Sequence, residues 1–230
     1  MLQLIKHIID FIFPKISIVT GNRLNENNSN DYVEDNILNS LEKVTPKELN
    51  RLNNKVNSDS AFSLYDFDES SPIQQIIHHL KYRGMKRVGI LLGELIGKEL
   101  EKDSNENLEE FDYIIPVPLY KTKLRERGYN QSEYLSKGLN NVLNIEIVNY
   151  LVNRTRHTKS QTKLTLAERV ENVKDAFEIN KKYRGTLDSK KIILVDDVIT
   201  TGSTLNEVIK VLREENVSKI FVITVAMTKK

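Results

Sequence analysis

The sequence predicts an α/β fold, in which a Rossmann-like parallel sheet is flanked by helices and preceded by a helical hood and appendage. Short apolar segments rich in β-branched residues alternate with segments of helical periodicity over the second half of the chain. Such alternation implies right-handed βαβ crossovers, which build a parallel sheet. The size agrees, since 230 residues with 39% hydrophobic content are sufficient for one such domain and an appendage.

Four strands and two helices make up the predicted core. The strands are at 112–117, 145–148, 192–195 and 219–226, and the helices are at 131–143 and 204–214. Two further helices come earlier, at 72–82 and 86–102, with Pro72 suited to a first helical turn and Gly84 to a helix end. We expect these two helices to form a hood over a ligand site at the carboxyl ends of the strands. The chain thus divides into an amino-terminal helix and loop region, 1–60, and a main domain, 61–230, whose hood is 61–110.

The first thirteen residues are apolar, but they are too few to cross a bilayer, and Lys6, His7 and Asp10 interrupt them. The spacing favours a packing helix over a membrane-surface anchor. The segment lacks the small-residue cleavage site of a secretion signal, so we expect a cytoplasmic location without membrane association.

The composition excludes several classes of protein. The formal net charge of +2, from 34 basic and 32 acidic residues, gives no global attraction to nucleic acid or membrane. Anion binding must therefore come from local clusters. Because the chain has no cysteine, it has no disulfide, no thiol nucleophile and no cysteine-based zinc site.

The most informative segment is 191–205, where an apolar strand is followed by two carboxylates and then by a loop of hydroxyl residues. The loop precedes a helix, whose first N–H groups lack partners and whose dipole is positive at this end. A phosphate fits there. The loop, which we call the hydroxyl loop, consists of Thr200, Thr201, Gly202, Ser203 and Thr204.

The two carboxylates, Asp196 and Asp197, accept hydrogen bonds only when they are ionised. Beside a phosphate they would be repulsive unless they faced ribose hydroxyls or a metal ion. A ribose phosphate satisfies both the acids and the loop. A purely structural strand with a turn and a helix cap accounts equally well for the Asp-Asp pair taken alone.

The whole run resembles the signature for phosphoribosyl pyrophosphate (PRPP) in type I phosphoribosyltransferases. In that family the paired acids hold the ribose 2- and 3-hydroxyls, and the loop holds the 5-phosphate. Three further segments resemble the ComF family of phosphoribosyltransferase-like proteins: Leu-Lys-Tyr-Arg-Gly at 80–84, Ile-Pro-Val-Pro-Leu at 115–119 and Arg-Gly-Tyr-Asn-Gln at 127–131. Polar residues spaced as in that family precede the signature strand at Asn153, Arg154, Arg156, Gln161, Arg169 and Asn172. The resemblance covers about 62–227 and implies the type I phosphoribosyltransferase fold.

The resemblance also implies a pyrophosphate-facing loop after the first core strand. Four cations lie there, at Lys121, Lys123, Arg125 and Arg127, and Lys121 and Arg127 are the predicted contacts. A solvated basic helix start is the alternative. The basic segment 153–163 is expected to close over the substrate, with Arg154 and Arg156 as its cations. Its alternative is a strip, extended by Lys159 and Lys163, that follows a nucleic acid backbone.

Relatives in the ComF family carry an amino-terminal zinc module opened by Phe-Pro and a Cys-x-x-Cys pair. Here Phe13 and Pro14 are present, but Ser17 and Thr20 stand where the cysteines are expected. We therefore expect no zinc in this chain.

Two functions remain open at this stage. One is transfer of phosphoribose from PRPP to a nucleobase or another amine, with Mg²⁺ held through PRPP and not directly by protein ligands. Its predicted catalytic residues are Asp197, the first choice for any acid-base role, Asp196 and Arg154. The other is a non-catalytic PRPP or nucleotide-binding protein that binds single-stranded DNA in natural competence. A homodimer is compatible with either function, and a receiver-like phosphorelay domain is disfavoured because the hydroxyl loop has no role in that chemistry.

Overall fold

The computed structural model describes residues 12–68, 70–156 and 173–229, and these form seven strands. They are β1 (Ser60–Asp66), β2 (Tyr113–Pro116), β3 (Glu146–Ile147), β4 (Val152–Arg154), β5 (Phe177–Ile179), β6 (Lys191–Ile199) and β7 (Lys219–Met227). Five of them form one parallel sheet in the order β1-β7-β6-β2-β3, and β4 and β5 form a separate antiparallel pair. The predicted α/β class with a parallel sheet is thus confirmed.

The described residues form seven α-helices. They are α1 (Asp35–Ser40), α2 (Pro46–Lys55), α3 (Pro72–Tyr82), α4 (Lys86–Asp103), α5 (Lys121–Arg127), α6 (Gln131–Leu143) and α7 (Ser203–Arg213). Four of them, α3, α4, α6 and α7, match the predicted bounds to within one residue. Polar caps explain several of the starts. Thr45 and Glu48 form a capping box at α2, and the side chains of Ser71 and Asn130 accept from backbone N–H groups at the starts of α3 and α6.

Successive residues of the central strand β6 face opposite sides of the sheet, and each side has its own apolar core. Ile193 and Val195 belong to the core that α3, α4 and α6 cover. Ile192 and Leu194 belong to the core that α2 and α7 cover. These residues are fully buried, which is why β6 reads as a continuous apolar run instead of an alternating one.

Helix α4 is packed unusually closely against α6. A Cβ atom built on Gly93 would lie 2.1 Å from the carbonyl oxygen of Leu135, and one built on Gly138 would lie 2.1 Å from that of Ile90. Because α4 packs on α6 over one face of the sheet, it does not lie over the ligand site. The expectation that both helices form the hood is therefore wrong for α4. Of the hood helices in the described part of the chain, only α3 lines the cleft described below, through Lys81 and Tyr82 at its end.

The sheet begins earlier in the chain than the sequence predicted. The first residues of the segment 61–110, which the sequence prediction assigned to the hood, belong to β1, which pairs in parallel with β7 from Ser60 to Asp66. The expectation that the core starts at residue 112 is thus wrong, because the edge position of β1 is a long-range pairing that local pattern does not reveal.

The connections that follow the neighbouring strands β2 and β6 lead to opposite sides of the sheet. From β6 the chain runs through α7 to β7, and from β2 it runs through α6 to β3 on the other side. The two crossover helices lie on opposite faces, since Leu135 of α6 and Val208 of α7 belong to different cores. A crevice therefore forms between the carboxyl ends of β2 and β6, where open α/β sheets bind ligands.

The amino-terminal turn expected to lack zinc is held by hydrogen bonds. The hydroxyls of Ser17 and Thr20 both donate to the carboxylate of Glu34, and the Ser17 hydroxyl accepts from the N–H of Val19 at 3.2 Å. Neutral hydroxyls are poor substitutes for the thiolates of a structural zinc site, so the donors present here do not fit that metal. The predicted helix at 1–13 lies almost entirely outside the described residues. In the described part of the chain no helix combines the length and the apolar character that crossing a membrane requires.

Candidate functional site

A cleft of about 330 Å³ opens at the carboxyl edge of the sheet, beyond the ends of β1, β2 and β6. Its polar lining has three parts: the hydroxyl loop, the acidic pair and a group of cations. All five residues of the hydroxyl loop line it, as do both aspartates. The cations are Lys81, Lys123, Arg127 and Arg154. Elements far apart in sequence thus place one anion-binding loop, two carboxylates and four cations around a single cavity.

The hydroxyl loop turns the chain from β6 into α7. Gly202 has a φ of 77° and is the residue that precedes the first helical position, Ser203. The hydroxyl oxygens of Thr201 and Ser203 lie 2.8 Å apart, and the N–H of Asn206 donates to the Gly202 carbonyl at 2.8 Å, which closes the first turn. The hydroxyl loop thus lines the cleft at the start of α7, where the helix dipole is positive.

The acidic pair lies within β6, two residues before the strand ends at Ile199. One oxygen of Asp196 accepts from the Ser132 hydroxyl at 3.1 Å and from the Asp197 N–H at 2.9 Å. Burial, together with the neighbouring Asp197 carboxylate, raises the pKa of Asp196 to about 6. Asp196 is thus held in a fixed orientation by these two hydrogen bonds, and its pKa lies above the usual range of an aspartate.

Lys81 is a site residue that the sequence analysis did not predict. Its Nζ lies 2.9 Å from Oδ1 of Asp197, and the two side chains are only 21% and 10% exposed. The signal was present, because Lys81 belongs to the Leu-Lys-Tyr-Arg-Gly segment, but we used that segment only as a family marker. The cation comes from the end of α3, which brings the hood into direct contact with the acidic pair.

Lys123 is one of the four cations predicted at the pyrophosphate-facing loop, though not one of the two chosen as contacts, and it lies half-buried in the cleft. Burial lowers its pKa, and the nearby charges of Arg154, Arg127 and Lys81 lower it further, against an opposing effect of Asp197. Several cations are thus held close together beside a site to which the described residues contribute two carboxylates. An incoming anion of high charge would relieve their mutual repulsion.

The two predicted arginines of the cleft are held by neighbouring rings and amides. Arg127 donates to the side-chain oxygen of Gln131 at 2.7 Å, and its guanidinium lies 5.2 Å from the centre of the Tyr82 ring. Arg154 ends β4 and lies 5.1 Å from the centre of the Phe177 ring on the paired strand. These contacts fix the direction of each guanidinium without neutralising its charge.

Not every predicted residue lies in the cleft. Lys121 and Arg156 are exposed and are not among the described residues that line it. Lys121 is the first residue of α5, and the side chain two positions later, Lys123, takes the place expected for it. Asn130, which belongs to the Arg-Gly-Tyr-Asn-Gln segment, caps α6 by accepting from the Ser132 N–H at 3.2 Å.

Part of the predicted closing segment 153–163 lies outside the described residues, including Lys159, Gln161 and Lys163. The same holds for Arg169 and Asn172, which were predicted only as residues spaced as in the family. The chain resumes at Val173 and forms β5, which pairs with β4. The segment thus starts and ends at one antiparallel pair, whose first strand delivers Arg154 to the cleft.

A protein-family model described as "Phosphoribosyl transferase domain" matches residues 130–230. Among curated proteins, Competence protein F of Haemophilus influenzae is 36% identical over 150 residues, which are 65% of each chain. DNA utilization protein YhgH of Escherichia coli K12 is 33% identical over 146 residues, which are 63% of each chain. Competence protein ComFC of Bacillus subtilis is 29% identical over 102 residues, 44% of this chain and 38% of that protein. This chain therefore spans just under two thirds of the length of the first two relatives.

Solved structures give a more distant likeness. The purine phosphoribosyltransferase of Pyrococcus horikoshii has 18% sequence identity and a TM-score of 0.37, with 60% of this chain and 73% of that chain covered. Glutamine PRPP amidotransferase of B. subtilis has 20% identity and a TM-score of 0.38, with 59% and 25% covered. At these scores the likeness adds nothing to the fold that the sheet order defines.

The parallel sheet and the cleft at its carboxyl edge, together with the domain matched at 130–230, are those of an α/β phosphoribosyltransferase-type fold. Within that type, the chain is similar to the proteins named Competence protein F, ComFC and YhgH. The resemblance seen in the sequence is thus confirmed.

Proposed function

We propose that the cleft binds PRPP and that the protein transfers its phosphoribosyl group to an amine or a nucleobase. The observation that carries this proposal is the meeting of the hydroxyl loop, the acidic pair and four cations in one cavity. A phosphate alone would not need the acids, and a sugar alone would not need the cations. A phosphorylated ribose that also carries a pyrophosphate uses all three parts.

Each part of the cleft has a role in this proposal. The amides and hydroxyls of the hydroxyl loop receive the 5-phosphate at the start of α7. Asp196 and Asp197 accept from the ribose hydroxyls, with Asp196 oriented by the hydrogen bond from Ser132. Phosphate and ribose thus bind to consecutive segments of one strand-to-helix connection.

The cations act where negative charge develops. When the bond between the ribosyl carbon and pyrophosphate breaks, the carbon becomes positive and the leaving group gains charge. Lys123, Arg127 and Arg154 face the same cleft and would stabilise that leaving group. Asp197 is the first choice for any acid-base role, and its Oδ1 lies 2.9 Å from Nζ of Lys81.

Magnesium belongs to the same proposal. The described residues contain no cluster of three or more His, Cys, Asp or Glu side chains that could hold a metal ion by themselves. Two carboxylates are nevertheless a suitable donor set for Mg²⁺ when phosphate oxygens of a ligand supply the remaining positions. Mg²⁺ bound with PRPP would contribute charge neutralisation of the pyrophosphate, and Asp196 and Asp197 are the residues that would contact it or its water ligands.

The proposal is tested by calorimetry with PRPP and Mg²⁺, followed by an assay for pyrophosphate release with a panel of nucleobases and amines. The matched variant is Asp196→Asn combined with Asp197→Asn, which keeps the side-chain volumes. We expect it to fold and to lose PRPP binding, since these carboxylates serve the ligand. Unchanged affinity in the double variant would remove the acids from the site, and binding without turnover on any acceptor would limit the function to binding.

A second candidate function, binding of single-stranded DNA, is favoured by one specific surface. Beside the mouth of the cleft, Tyr82 is 62% exposed and is followed along the chain by exposed Arg83, Lys86 and Arg87. We call these four residues the exposed rim. An exposed ring among cations can stack a base while the cations contact phosphates. Relatives named for competence and DNA utilization add to this candidate.

The two functions are separable at the exposed rim. Arg83→Ala combined with Arg87→Ala leaves Tyr82 and its contact with Arg127 in the cleft unchanged. This variant should weaken binding of a fluorescent single-stranded oligonucleotide, and the affinity of the wild type should fall steeply with salt. The control is Lys98→Ala, an exposed lysine in the second half of α4. If the rim variant and this control bind the oligonucleotide equally well, the rim is not its binding surface.

A further inference from the structure

The back of the hydroxyl loop is packed against the end of helix α2, in the amino-terminal region for which the sequence suggested no function. A Cβ atom built on Gly202 would lie 3.0 Å from the carbonyl oxygen of Lys55 and 3.3 Å from Cγ1 of Val56. The backbone of the loop therefore approaches the end of α2 as closely as a residue without a side chain allows. One side of the loop lines the cleft, and another is in contact with α2.

Asn206, in the first turn of α7, joins these two pieces of backbone. Its N–H donates to the Gly202 carbonyl at 2.8 Å. Its side-chain nitrogen donates to the Lys55 carbonyl at 3.0 Å, and its side-chain oxygen accepts from the Asn57 N–H at 2.8 Å. A single residue thus contacts the loop through its backbone and the end of α2 through both polar atoms of its side chain.

These contacts use groups that a helix end cannot satisfy internally. The last carbonyls of a helix have no partner within it, and Lys55 is the last residue of α2. Asn206 supplies a partner to that carbonyl. In addition, Nζ of Lys55 lies 3.5 Å from the carbonyl oxygens of Thr200 and Thr228, at the long end of hydrogen-bonding range. The end of α2 is thus joined to the hydroxyl loop at both Thr200 and Gly202.

We propose that Asn206 is a positioning residue, which holds the hydroxyl loop against α2 so that the loop amides are already arranged for a phosphate monoester. This inference rests on the proposed phosphoribosyl function and assigns residues 46–57 to its 5-phosphate site. A glycine-containing loop has many accessible backbone conformations, and binding is stronger when the bound one is fixed in advance. Asn206 is not among the described residues that line the cleft, so it acts through the loop and not on the ligand.

The test uses the two halves of the candidate ligand as separate probes. Ribose 5-phosphate requires the hydroxyl loop, whereas pyrophosphate requires the cations across the cleft. The variants are Asn206→Ala and Asn206→Leu, the second of which keeps the number and branching of the side-chain heavy atoms but has no polar atom. Alanine and leucine are better helix formers than asparagine, so neither variant weakens α7 itself. The control is Asn54→Ala, an exposed asparagine of α2.

By calorimetry, we expect both Asn206 variants to bind ribose 5-phosphate about threefold to tenfold more weakly, the range that corresponds to one or two lost neutral hydrogen bonds. Pyrophosphate affinity should stay at the wild-type value, and Asn54→Ala should change neither. A loss shared equally by the two probes would indicate a general structural effect, and no loss for ribose 5-phosphate would also overturn the positioning role.

Amide hydrogen exchange tests, without any ligand, whether Asn206 orders the hydroxyl loop. In Asn206→Ala the amides of residues 200–205 should exchange faster than in the wild type and in Asn54→Ala, while those of β6 and β7 keep their rates. Equal exchange of the loop in all three proteins would overturn the proposal. If the wild type binds neither ribose 5-phosphate nor pyrophosphate, the phosphoribosyl function fails, and the exchange rates alone decide whether Asn206 orders the loop.

Discussion

Lys81 and Asp197 form an ion pair across the cleft, with 2.9 Å between Nζ and Oδ1. The lysine comes from the end of α3 and the aspartate from β6, so the pair joins the hood to the centre of the sheet. It also places a cation at the carboxylate that the proposed function assigns to ribose hydroxyls. The lysine therefore compensates the charge of the acidic pair before a ligand does, and a bound PRPP would compete for the same oxygen.

The first prediction concerns the pH dependence of ligand binding. Because burial and Asp197 raise the pKa of Asp196 to about 6, we expect affinity for PRPP with Mg²⁺ to increase as the pH rises through that value. Calorimetry from about pH 5 to about pH 8 measures it. PRPP itself titrates in this range, so Asp196→Asn is the control that isolates the protein's share. Identical pH profiles for the wild type and Asp196→Asn would contradict the prediction.

The same shift in pKa has the opposite sign for the stability of the free protein. The folded-state pKa of Asp196 lies above its usual value of 3.8, so the folded state retains a proton that the unfolded state has lost. As far as this group is concerned, the free energy of unfolding is highest below about pH 4 and falls as the pH rises to about 6. Thermal unfolding over that window should show this contribution in the wild type and not in Asp196→Asn.

The second prediction concerns Lys81. Its charge lowers the pKa of Asp196 against the larger effects of burial and Asp197. Lys81→Met should therefore raise that pKa further and move the midpoint of the binding profile to higher pH. Arg83→Met, two residues later and exposed, is the control and should leave the midpoint in place. A midpoint that stays put in Lys81→Met would show that the ion pair does not govern the titration.

The third prediction distinguishes two lysines of one helix. Lys123 lies in the cleft, whereas Lys121 is exposed at the start of α5. Loss of a charge-assisted hydrogen bond weakens binding by about tenfold or more, so Lys123→Met should reduce pyrophosphate affinity by that factor. Lys121→Met should change it by less than about twofold. Calorimetry with pyrophosphate measures both, and the reverse order would support the contact with Lys121 that the sequence analysis predicted.

The sequence contained most of the fold because its strands and helices have strong local patterns. The helix at 131–143 was predicted to the residue, since Asn130 caps it and the apolar stripe is regular. The hydroxyl loop and both aspartates were likewise predicted, because the strand, the acids and the loop follow one another directly. Features that are encoded within about fifteen successive residues could thus be predicted from the sequence.

What the sequence did not show depends on contacts between distant segments. The place of β1 at the sheet edge, the ion pair of Lys81 and the contact of Asn206 with Lys55 each join residues more than a hundred positions apart. The exposure of Lys121 depends on which side of a seven-residue helix faces the cleft. Nothing in the local pattern distinguishes these cases, because each is decided by tertiary packing.

The fourth prediction compares two glycines that both have positive φ. At Gly202, with a φ of 77°, an added Cβ meets the Lys55 carbonyl at 3.0 Å, whereas at Gly185, with a φ of 71°, it meets nothing within 4 Å. Gly185→Ala should lower the free energy of unfolding by roughly 1–2 kcal/mol, the cost of the left-handed conformation alone. Gly202→Ala should cost more and should also weaken ribose 5-phosphate binding. Chemical denaturation and calorimetry measure the two effects, and equal behaviour of the two variants would contradict the close approach to α2.

The last prediction concerns the contact between α4 and α6, which supports the acidic pair from behind. A Cβ atom on Gly93 would lie 2.1 Å from the Leu135 carbonyl, a distance that the two backbones can relieve only by separating. We expect Gly93→Ala to lower the free energy of unfolding by about 3 kcal/mol or more, measured by denaturant titration. Lys98→Ala, at an exposed position of the same helix, is the control.

Gly93→Ala should also change ligand binding in the cleft. Helix α6 carries Ser132, whose hydroxyl donates to Asp196 at 3.1 Å, so a displaced α6 changes the surroundings of that carboxylate. Loss of this hydrogen bond to the ionised form should raise the pKa of Asp196 and shift the binding profile to higher pH in Gly93→Ala. Ser132→Ala removes the hydroxyl without moving the helix and should reproduce the shift without the large loss of stability. A stable Gly93→Ala protein would contradict the packing itself, and an unshifted profile in Ser132→Ala would separate that packing from the titration of the site.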